Sequence, residues 1–280
     1  MQSRAAISCF LLRRVSPMSY SIYVLNLDRH PNRLKTMAKQ LSALGMPWQR
    51  FTAIDGSSID QDELDALVTR DGPIPRMPSG AQAVTASHLK ILEVFLQTND
   101  THAVVLEDDA VLAADFAIAV LGLIENKAEG LVNINRQPPS GDVKKVIVGK
   151  PICGQFGAYT LYDLKGVHYG AAGYVIDRSA AKQTLSDYNL PNMPIDHIYF
   201  NPNVSALFGK FPIRQMFPAV TKPADGMVSS IQMVPVEGAS HLRKRLKRLW
   251  AEVAIAPRLL AGVVFRRYQV LELRFGTNDD

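Results

Sequence analysis

An α/β fold, with a mostly parallel sheet flanked by helices, is what this chain predicts, on three observations. Short β-branched apolar runs (Ile22 to Leu27, Trp48 to Ile54, Ala103 to Leu106) alternate with segments whose apolar residues recur at helical spacing. Turn chemistry marks the changes of period: Asp28 to Asn32 around Pro31, then Gly45, then Asp55-Gly56. Finally, 280 residues with 47% hydrophobic content can bury one large core and still carry an appendage.

Taken in order, Ile22 to Leu27 is the first buried strand. Pro31 suits the first turn of the following helix, where Leu34, Met37, Leu41 and Leu44 share a face and Gly45 supplies the stop. Trp48 to Ile54 is the second strand. Asp60 with Glu63 three residues later forms a capping-box-like start for a helix through Val68. Residues 71–80, with Gly72, Pro73, Pro75 and Pro78-Ser79-Gly80, read as a loop. A helix is expected from Thr85 to Gln97, turning Leu89, Leu92, Phe95 and Leu96 inward. The run Ala103 to Leu106 is a buried strand, followed by a helix from Asp115 to Glu125 and a short strand from Leu131 to Ile134. Residues 136–151, polar and holding Pro138-Pro139, read as the least ordered interior segment. Phe156 to Leu161 and Ala171 to Ile176 are expected to pair across Asp163 to Gly170. Ser179 caps a helix to Tyr188, Pro194 opens another short helix, and Ile213 to Phe217 is a late strand.

The net charge of +5 is carried by the two ends. Arg4, Arg13 and Arg14 lie in residues 1–17, which hold no acid, and Arg243, Lys244, Arg245, Lys247 and Arg248 crowd one stretch near the other end. The body between is mildly acidic, which argues against nucleic acid as a partner. Residues 1–17 read as a disordered extension upstream of a natural start at Met18, with an organelle transit peptide as the alternative. Residues 18–238 form the main domain and 239–280 a basic helical extension. Within the extension, Leu242, Leu246, Leu249, Trp250 and Val253 share one helical face with basic residues around it. Such a helix either lies on an anionic membrane or packs on the domain with a solvated basic face. No run of about 18 apolar residues appears, as a membrane-crossing helix would need. Two cysteines, Cys9 and Cys153, make neither a disulfide framework nor a metal-finger spacing.

Three carboxylates, Glu107, Asp108 and Asp109, end the strand Ala103 to Leu106. Ligands of open α/β sheets sit at such strand ends. Like charges held together call for compensation, and a hard divalent cation bridging to a diphosphate supplies it. The alternative is a solvated acidic turn opening the next helix, whose first turn favours negative charge.

Several segments together resemble glycosyltransferase family 25, the lipopolysaccharide-type sugar transferases. They are Ile22 to Arg29 followed by Arg33, Phe51-Thr52-Ala53-Ile54-Asp55-Gly56, Ser87-His88-Leu89-Lys90, and Val105-Leu106-Glu107-Asp108-Asp109-Ala110. Gly173 to Ile176, Pro194-Ile195-Asp196, Phe217-Pro218 and Ser229-Ser230-Ile231 follow in the family's order. The resemblance implies a GT-A-like, Rossmann-related fold and an inverting transferase that uses a nucleotide-sugar donor, commonly UDP-galactose. One departure bears on donor choice, acceptor choice and activity. The family's Gly-Glu-Ile-Gly-Cys before the Ser-His pair is here Gly80-Ala81-Gln82-Ala83-Val84, so Ala81 stands in the glutamate's place.

With that resemblance, each candidate residue takes an expected role beside a plainer one. Asp109 is expected to bind Mn²⁺ or Mg²⁺ directly, with Glu107 on the metal or the donor ribose and Asp108 behind them or on the sugar. Asn26, Asp28, Arg29 and Arg33 sit where the first strand turns into its helix, the phosphate end of such folds. Solvated arginines on a helical turn are the plainer reading there. Asp55 holds the base or ribose, or makes an Asp-Gly turn. His88 contacts the donor, or is a hydrogen-bonded core histidine. Asp196 is the expected catalytic base beside Glu107, or a helix N-cap. His241 is a weaker candidate near the metal.

The leading expectation is therefore a metal-assisted transferase with a UDP-sugar donor and a glycan or glycolipid acceptor. It would be cytoplasmic, with peripheral contact on the inner face of the membrane through residues 242–253. A metal-dependent nucleotidyltransferase is an alternative, though Asp28-Arg29-His30-Pro31 is not a glycine-rich phosphate loop. A non-catalytic relative that binds a nucleotide sugar is the other.

Overall fold

A computed structural model of the chain describes residues 19–70, 77–136, 145–152, 158–186, 193–224, 257 and 259–277. The expectations for residues 1–17, Cys153, Ser229 to Ile231, His241 and 242–253 lie outside the described residues.

The chain begins with β1 (Tyr20–Asn26), α1 (Pro31–Ala43), β2 (Gln49–Thr52) and α2 (Gln61–Leu67). Next come α3 (Ser79–Gln97), β3 (His102–Glu107), β4 (Ala110–Leu112), α4 (Phe116–Glu125) and β5 (Leu131–Asn133). The rest comprises β6 (Lys145–Ile152), β7 (Thr160–Leu164), β8 (Gly173–Asp177), α5 (Arg178–Ser186), α6 (Ile195–Phe200), β9 (Ile213–Phe217), β10 (Thr221–Pro223) and β11 (Gln269–Glu272). Nine strands form one sheet in the order β11-β6-β7-β9-β5-β8-β3-β1-β2, and β10 pairs with β4 in a separate ribbon. The α/β class holds, and the sheet is mixed. β2, β1 and β3 run parallel, as do β5 and β9. β8 is antiparallel to both β3 and β5.

Strands covered on both faces explain the unbroken apolar runs. Along β1 and β3, Tyr23, Leu25 and Val105 enter one core with Ile91, Leu92 and Phe95 of α3. The intervening Ile22, Val24, Val104 and Leu106 enter a second core with Met37 and Leu41 of α1 and Phe116 and Val120 of α4. Each such fully buried aliphatic side chain contributes roughly 1.5–3 kcal/mol of transfer free energy. Burial on both faces fixes β1 and β3 in register, so the groups at their ends meet reproducibly.

Several expectations need correction. α3 begins at Ser79, not Thr85, with Pro78 as its N-cap. Small residues make this possible: Ala81, Ala83 and Ala86 pack on Leu64 and Val68 of α2, and the buried Gln82 amide donates to Asp65 at 2.6 Å. β7 and β8 do not pair with each other. β7 lies between β6 and β9, while β8 lies between β3 and β5. Part of the stretch read as the least ordered interior segment is strand β6, which tolerates Pro151 at a register irregularity between Val148 and Pro151. Asp177, not Ser179, caps α5, accepting the Ala180 N–H at 2.6 Å. β4, β10 and β11 were not anticipated. In the C-terminal stretch, residues 259–264 are helical and Gln269–Glu272 form strand β11 at the sheet edge.

Candidate active site at the ends of β1 and β3

Parallel pairing of β1 with β3 aligns Leu25 with Glu107, so the next residue of each strand, Asn26 and Asp108, emerge side by side. The Asp108 N–H donates to the Leu25 carbonyl at 3.1 Å, carrying the pairing one step past the strand end. Asn26 is almost fully buried and links three elements. Its amide donates to Asp108 Oδ2 at 2.6 Å and to the His30 carbonyl at 3.0 Å. Its oxygen accepts from Arg50 Nε at 3.1 Å. The Arg50 guanidinium also pairs with Asp28. From the first turn of α1, Arg33 Nη1 lies 3.5 Å from Asp108 Oδ1 and 3.9 Å from Asp109 Oδ2.

The acidic trio is undercompensated. Burial raises the Asp108 pKa, and Asn26 and Arg33 oppose that rise. Asp109 is pushed up to about 7, first by burial and then by Glu107 and Asp108, with Arg33 pulling the other way. Asp108 has its oxygens engaged by Asn26 and Arg33. Asp109 Oδ1 is buried without a hydrogen-bond partner among the described residues. Its backbone carbonyl is tied to the Ala224 N–H at 2.8 Å, which fixes the turn.

A buried, partnerless carboxylate oxygen with two like charges beside it suits a cation, and Asp109 and Glu107 are the members able to hold one. No group of three or more His, Cys, Asp or Glu arranged to hold a metal occurs among the described residues. Two carboxylates completed by water and phosphate oxygens are nonetheless a normal Mg²⁺ shell.

The other expected residues divide between this cluster and its supports. Arg29 pairs with Asp55 and donates to Ser57 Oγ at 3.1 Å, joining the turns after β1 and β2. Asp55 Oδ1 also accepts the Ser57 N–H at 2.9 Å, so Asp55 holds its own turn together. A Cβ on Gly56 would stand 2.5 Å from the Ser79 carbonyl oxygen, so only glycine lets this turn abut the start of α3. Ser87 on α3 accepts the Ile54 N–H at 2.9 Å and donates to the Ala83 carbonyl at 2.7 Å, bracing the same turn.

His88 is a buried, hydrogen-bonded histidine on α3. The residue is fully buried, with Nδ1 3.0 Å from the Tyr174 hydroxyl and Nε2 3.6 Å from Glu107 Oε1. His88 thus lies between the Tyr174 hydroxyl and the Glu107 carboxylate.

Asp196 joins the group indirectly. Its Oδ2 accepts the Gly170 N–H at 3.1 Å and its Oδ1 accepts the His197 N–H at 2.9 Å. Two residues past Gly170, the Ala172 carbonyl accepts the Glu107 N–H at 3.0 Å. Pro194, not Asp196, is the N-cap of α6.

Sequence reasoning missed Arg50, Tyr174 and Gln40. Gln40 donates to the Ala110 carbonyl at 3.0 Å and accepts the Leu112 N–H at 2.9 Å, tying α1 to β4 just past the acidic turn. Arg50 lies opposite Val24 in the β1–β2 register, which points it along the strand toward Asn26. That signal exists only once the register is known.

The model of glycosyltransferase family 25 (LPS biosynthesis protein) matches residues 19–199, a span that holds every candidate described above except His241. A "Glycosyltransferase 25 family member" of Aedes aegypti is 28% identical over 201 residues, covering 66% of this chain and 32% of that protein. Another of the same name, from Anopheles gambiae, is 26% identical over 188 residues, covering 62% of this chain and 30% of its own length. The chain thus spans about a third of these curated relatives. A solved structure of mannose-1-phosphate geranyltransferase from Thermus thermophilus overlaps 74% of this chain and 75% of its own. At a TM-score of 0.37 and 12% identity, that likeness bears on neither fold nor ligand. On the family match across residues 19–199, which includes the strand-end carboxylates and the Asn26 turn, the chain belongs to glycosyltransferase family 25.

Proposed function

We propose that this chain transfers a hexose, galactose first among candidates, from a UDP-sugar to a hydroxyl of a lipopolysaccharide-type glycan, with inversion. The observation that carries the reading is the buried, partnerless oxygen of Asp109 beside Glu107, at the ends of parallel strands. A divalent cation held there by Asp109 and Glu107, Mn²⁺ or Mg²⁺, would supply positive charge to the departing diphosphate. Arg33, on the first turn of α1, adds fixed positive charge at the same place. Asn26 keeps Asp108 directed inward and spares Asp109 for ligand binding. Asp196, oriented by two backbone N–H donors, is the group proposed to take the acceptor proton, with Glu107 the other candidate. Arg29, Asp28 and Asp55 shape the rim on which the nucleotide would lie.

The test is turnover of a panel of nucleotide sugars by purified protein with Mn²⁺, Mg²⁺ or EDTA. UDP-galactose should be consumed only when metal is present. If the panel is untouched yet UDP binds tightly, a non-catalytic nucleotide-sugar-binding role replaces this one. Ala81, buried at the start of α3 where the family carries glutamate, is what supports that second reading.

A cytoplasmic site of action at an anionic membrane surface is part of the proposal, since it joins a soluble donor to a lipid-linked acceptor. Among the described residues, Leu260, Val264 and Phe265 are exposed large apolar side chains, at 65%, 65% and 72%. Arg266 and Arg267, also exposed, follow at once. Apolar groups beside arginines suit an anionic bilayer. The protein should sediment with vesicles containing phosphatidylglycerol and not with pure phosphatidylcholine, and Leu260→Glu with Phe265→Glu should release it. Equal partition into both vesicle types would remove the membrane from the proposal. No described helix is long and apolar enough to cross a membrane.

A further inference from the structure

Asn135, two residues past the end of β5, is fully buried, and neither its Nδ2 nor its Oδ1 has a hydrogen-bond partner among the described residues. An amide buried with both ends unmet weakens a fold, and an apolar side chain of the same size would not. Its neighbours repeat the pattern. Asn133 Nδ2 and Gln215 Oε1 are likewise buried and unpartnered among the described residues. The other ends of those two amides are used: Asn133 Oδ1 accepts the Asn135 N–H at 2.8 Å, and Gln215 Nε2 donates to the Met216 carbonyl at 2.9 Å. Asn133 stands opposite Gln215 across the β5–β9 pairing, which keeps the three side chains together. They offer two N–H donors and two carbonyl acceptors with no charge, and a hydroxyl, which both donates and accepts, is the complement of that set.

Their place in the sheet relates them to the carboxylates. β8 is antiparallel to both β3 and β5, so β5 ends at the same edge as β3, and β9 ends there with it. Through Tyr174, Asn133 is level with Val105, which sets Asn135 level with Glu107, two strand spacings or about 10 Å away. On the far side, Tyr162 of β7 stands opposite Gln215, and its ring meets Phe217 edge-on with centroids 6.5 Å apart. Both rings are half-buried, so they give the amides an apolar, partly open border. Aromatic rings that cover a C–H face, beside a few placed amides that take hydroxyls, suit a sugar ring. We propose that the ends of β5 and β9 form a subsite for a neutral pyranose of the acceptor glycan. The sugar lies against Tyr162 and Phe217 and inserts one hydroxyl among Asn133, Asn135 and Gln215. Its assignment to the acceptor rests on the transferase reading, which gives the β3 end to the donor diphosphate; recognition of a sugar does not.

The test is saturation-transfer NMR on the full chain, without nucleotide or metal, using the methyl glycosides of galactose, glucose, mannose and N-acetylglucosamine. At least one should bind, and Asn135→Leu should weaken it about tenfold, the scale of one hydrogen bond. The same variant should melt no lower than the parent, because leucine has nearly the volume of asparagine and the substitution removes only unmet polar atoms. Tyr162→Leu should weaken the same glycoside while leaving the amides in place. Excess UDP-galactose should leave the glycoside bound. Binding of no glycoside, or equal binding by the parent and Asn135→Leu, overturns the proposal. So does an Asn135→Leu protein that melts clearly lower, since the amide then serves the fold through a buried water. Displacement by UDP-galactose would give the pocket to the donor sugar and overturn the acceptor assignment. Glycoside binding without turnover of any nucleotide sugar would remove the transferase reading and leave the sugar subsite standing.

Discussion

Asp109→Asn should sharply lower metal-dependent turnover and, in the same protein, raise stability at pH 8. The two effects share one cause. Asp109 is largely buried among like charges, and its carboxyl titrates near 7 rather than 3.8. A carboxyl whose folded pKa lies above its unfolded value favours the fold while protonated. That contribution is fully present below about pH 4 and is lost progressively as the pH rises toward 7. Above 7 the folded protein carries the penalty of a buried charge among like charges, offset only in part by Arg33. Asparagine has nearly the same shape and no charge, so the penalty disappears. The gain at pH 8 is on the order of 2 kcal/mol, below the full shift converted at about 1.4 kcal/mol per pKa unit, because the neighbouring carboxylates relax as well. Thermal unfolding in EDTA at pH 5 and pH 8 reads this directly, and the advantage of the variant should be larger at pH 8. Turnover should drop about 10²–10³-fold, the scale of losing one preorganised electrostatic contact. An Asp109→Asn protein that melts lower than the parent at pH 8, or that turns over normally, would contradict the assignment.

Asn26→Asp should be the more damaging change to the fold. The substitution removes the amide that donates 2.6 Å to Asp108 and 3.0 Å to the His30 carbonyl, and puts a fourth carboxylate in the same buried place. Arg50, already paired with Asp28, and Arg33 are then the two cations facing the enlarged acidic group. The expected loss is about 3 kcal/mol, typical of an uncompensated buried charge. Because the new carboxyl also prefers its protonated form, the loss should be greatest at pH 8 and shrink toward pH 4. Urea unfolding at several pH values measures it. A loss independent of pH would mean that Asn26 acts by shape alone. The pair of variants is diagnostic: removing a charge from this turn stabilises it, and adding one does the reverse.

Much of this was legible from the residues. The strand at Ile22 to Leu27 and the acidic strand end were readable because continuous β-branched runs bounded by turn signals leave few alternatives. Asp60 with Glu63 announced α2, and its capping bonds to Asp62 and Glu63 are present. Where residues carry mixed signals, the reading failed. Pro78-Ser79-Gly80 resembles a loop, yet a helix tolerates all three at its first positions, where N–H groups have no intrahelical partner anyway. β6 was hidden by its proline, and β10 and β11 by their brevity. Pairing was the deepest gap. Nothing local says that β8 inserts between β3 and β5, and without that fact Tyr174 cannot be placed beside His88. The same limit concealed Arg50.

The edge strand β11 closes the sheet by pairing with β6, to which it runs antiparallel across more than a hundred intervening residues. A chain emerging from the ribosome displays β6 long before its partner has been synthesised. During that interval the backbone amides and carbonyls of residues 145–148 are an open template for any other extended chain. Biogenesis is therefore exposed at the opposite side of the sheet from the carboxylates, and substitutions in residues 269–272 would be felt first as poor yield of folded protein rather than as altered chemistry.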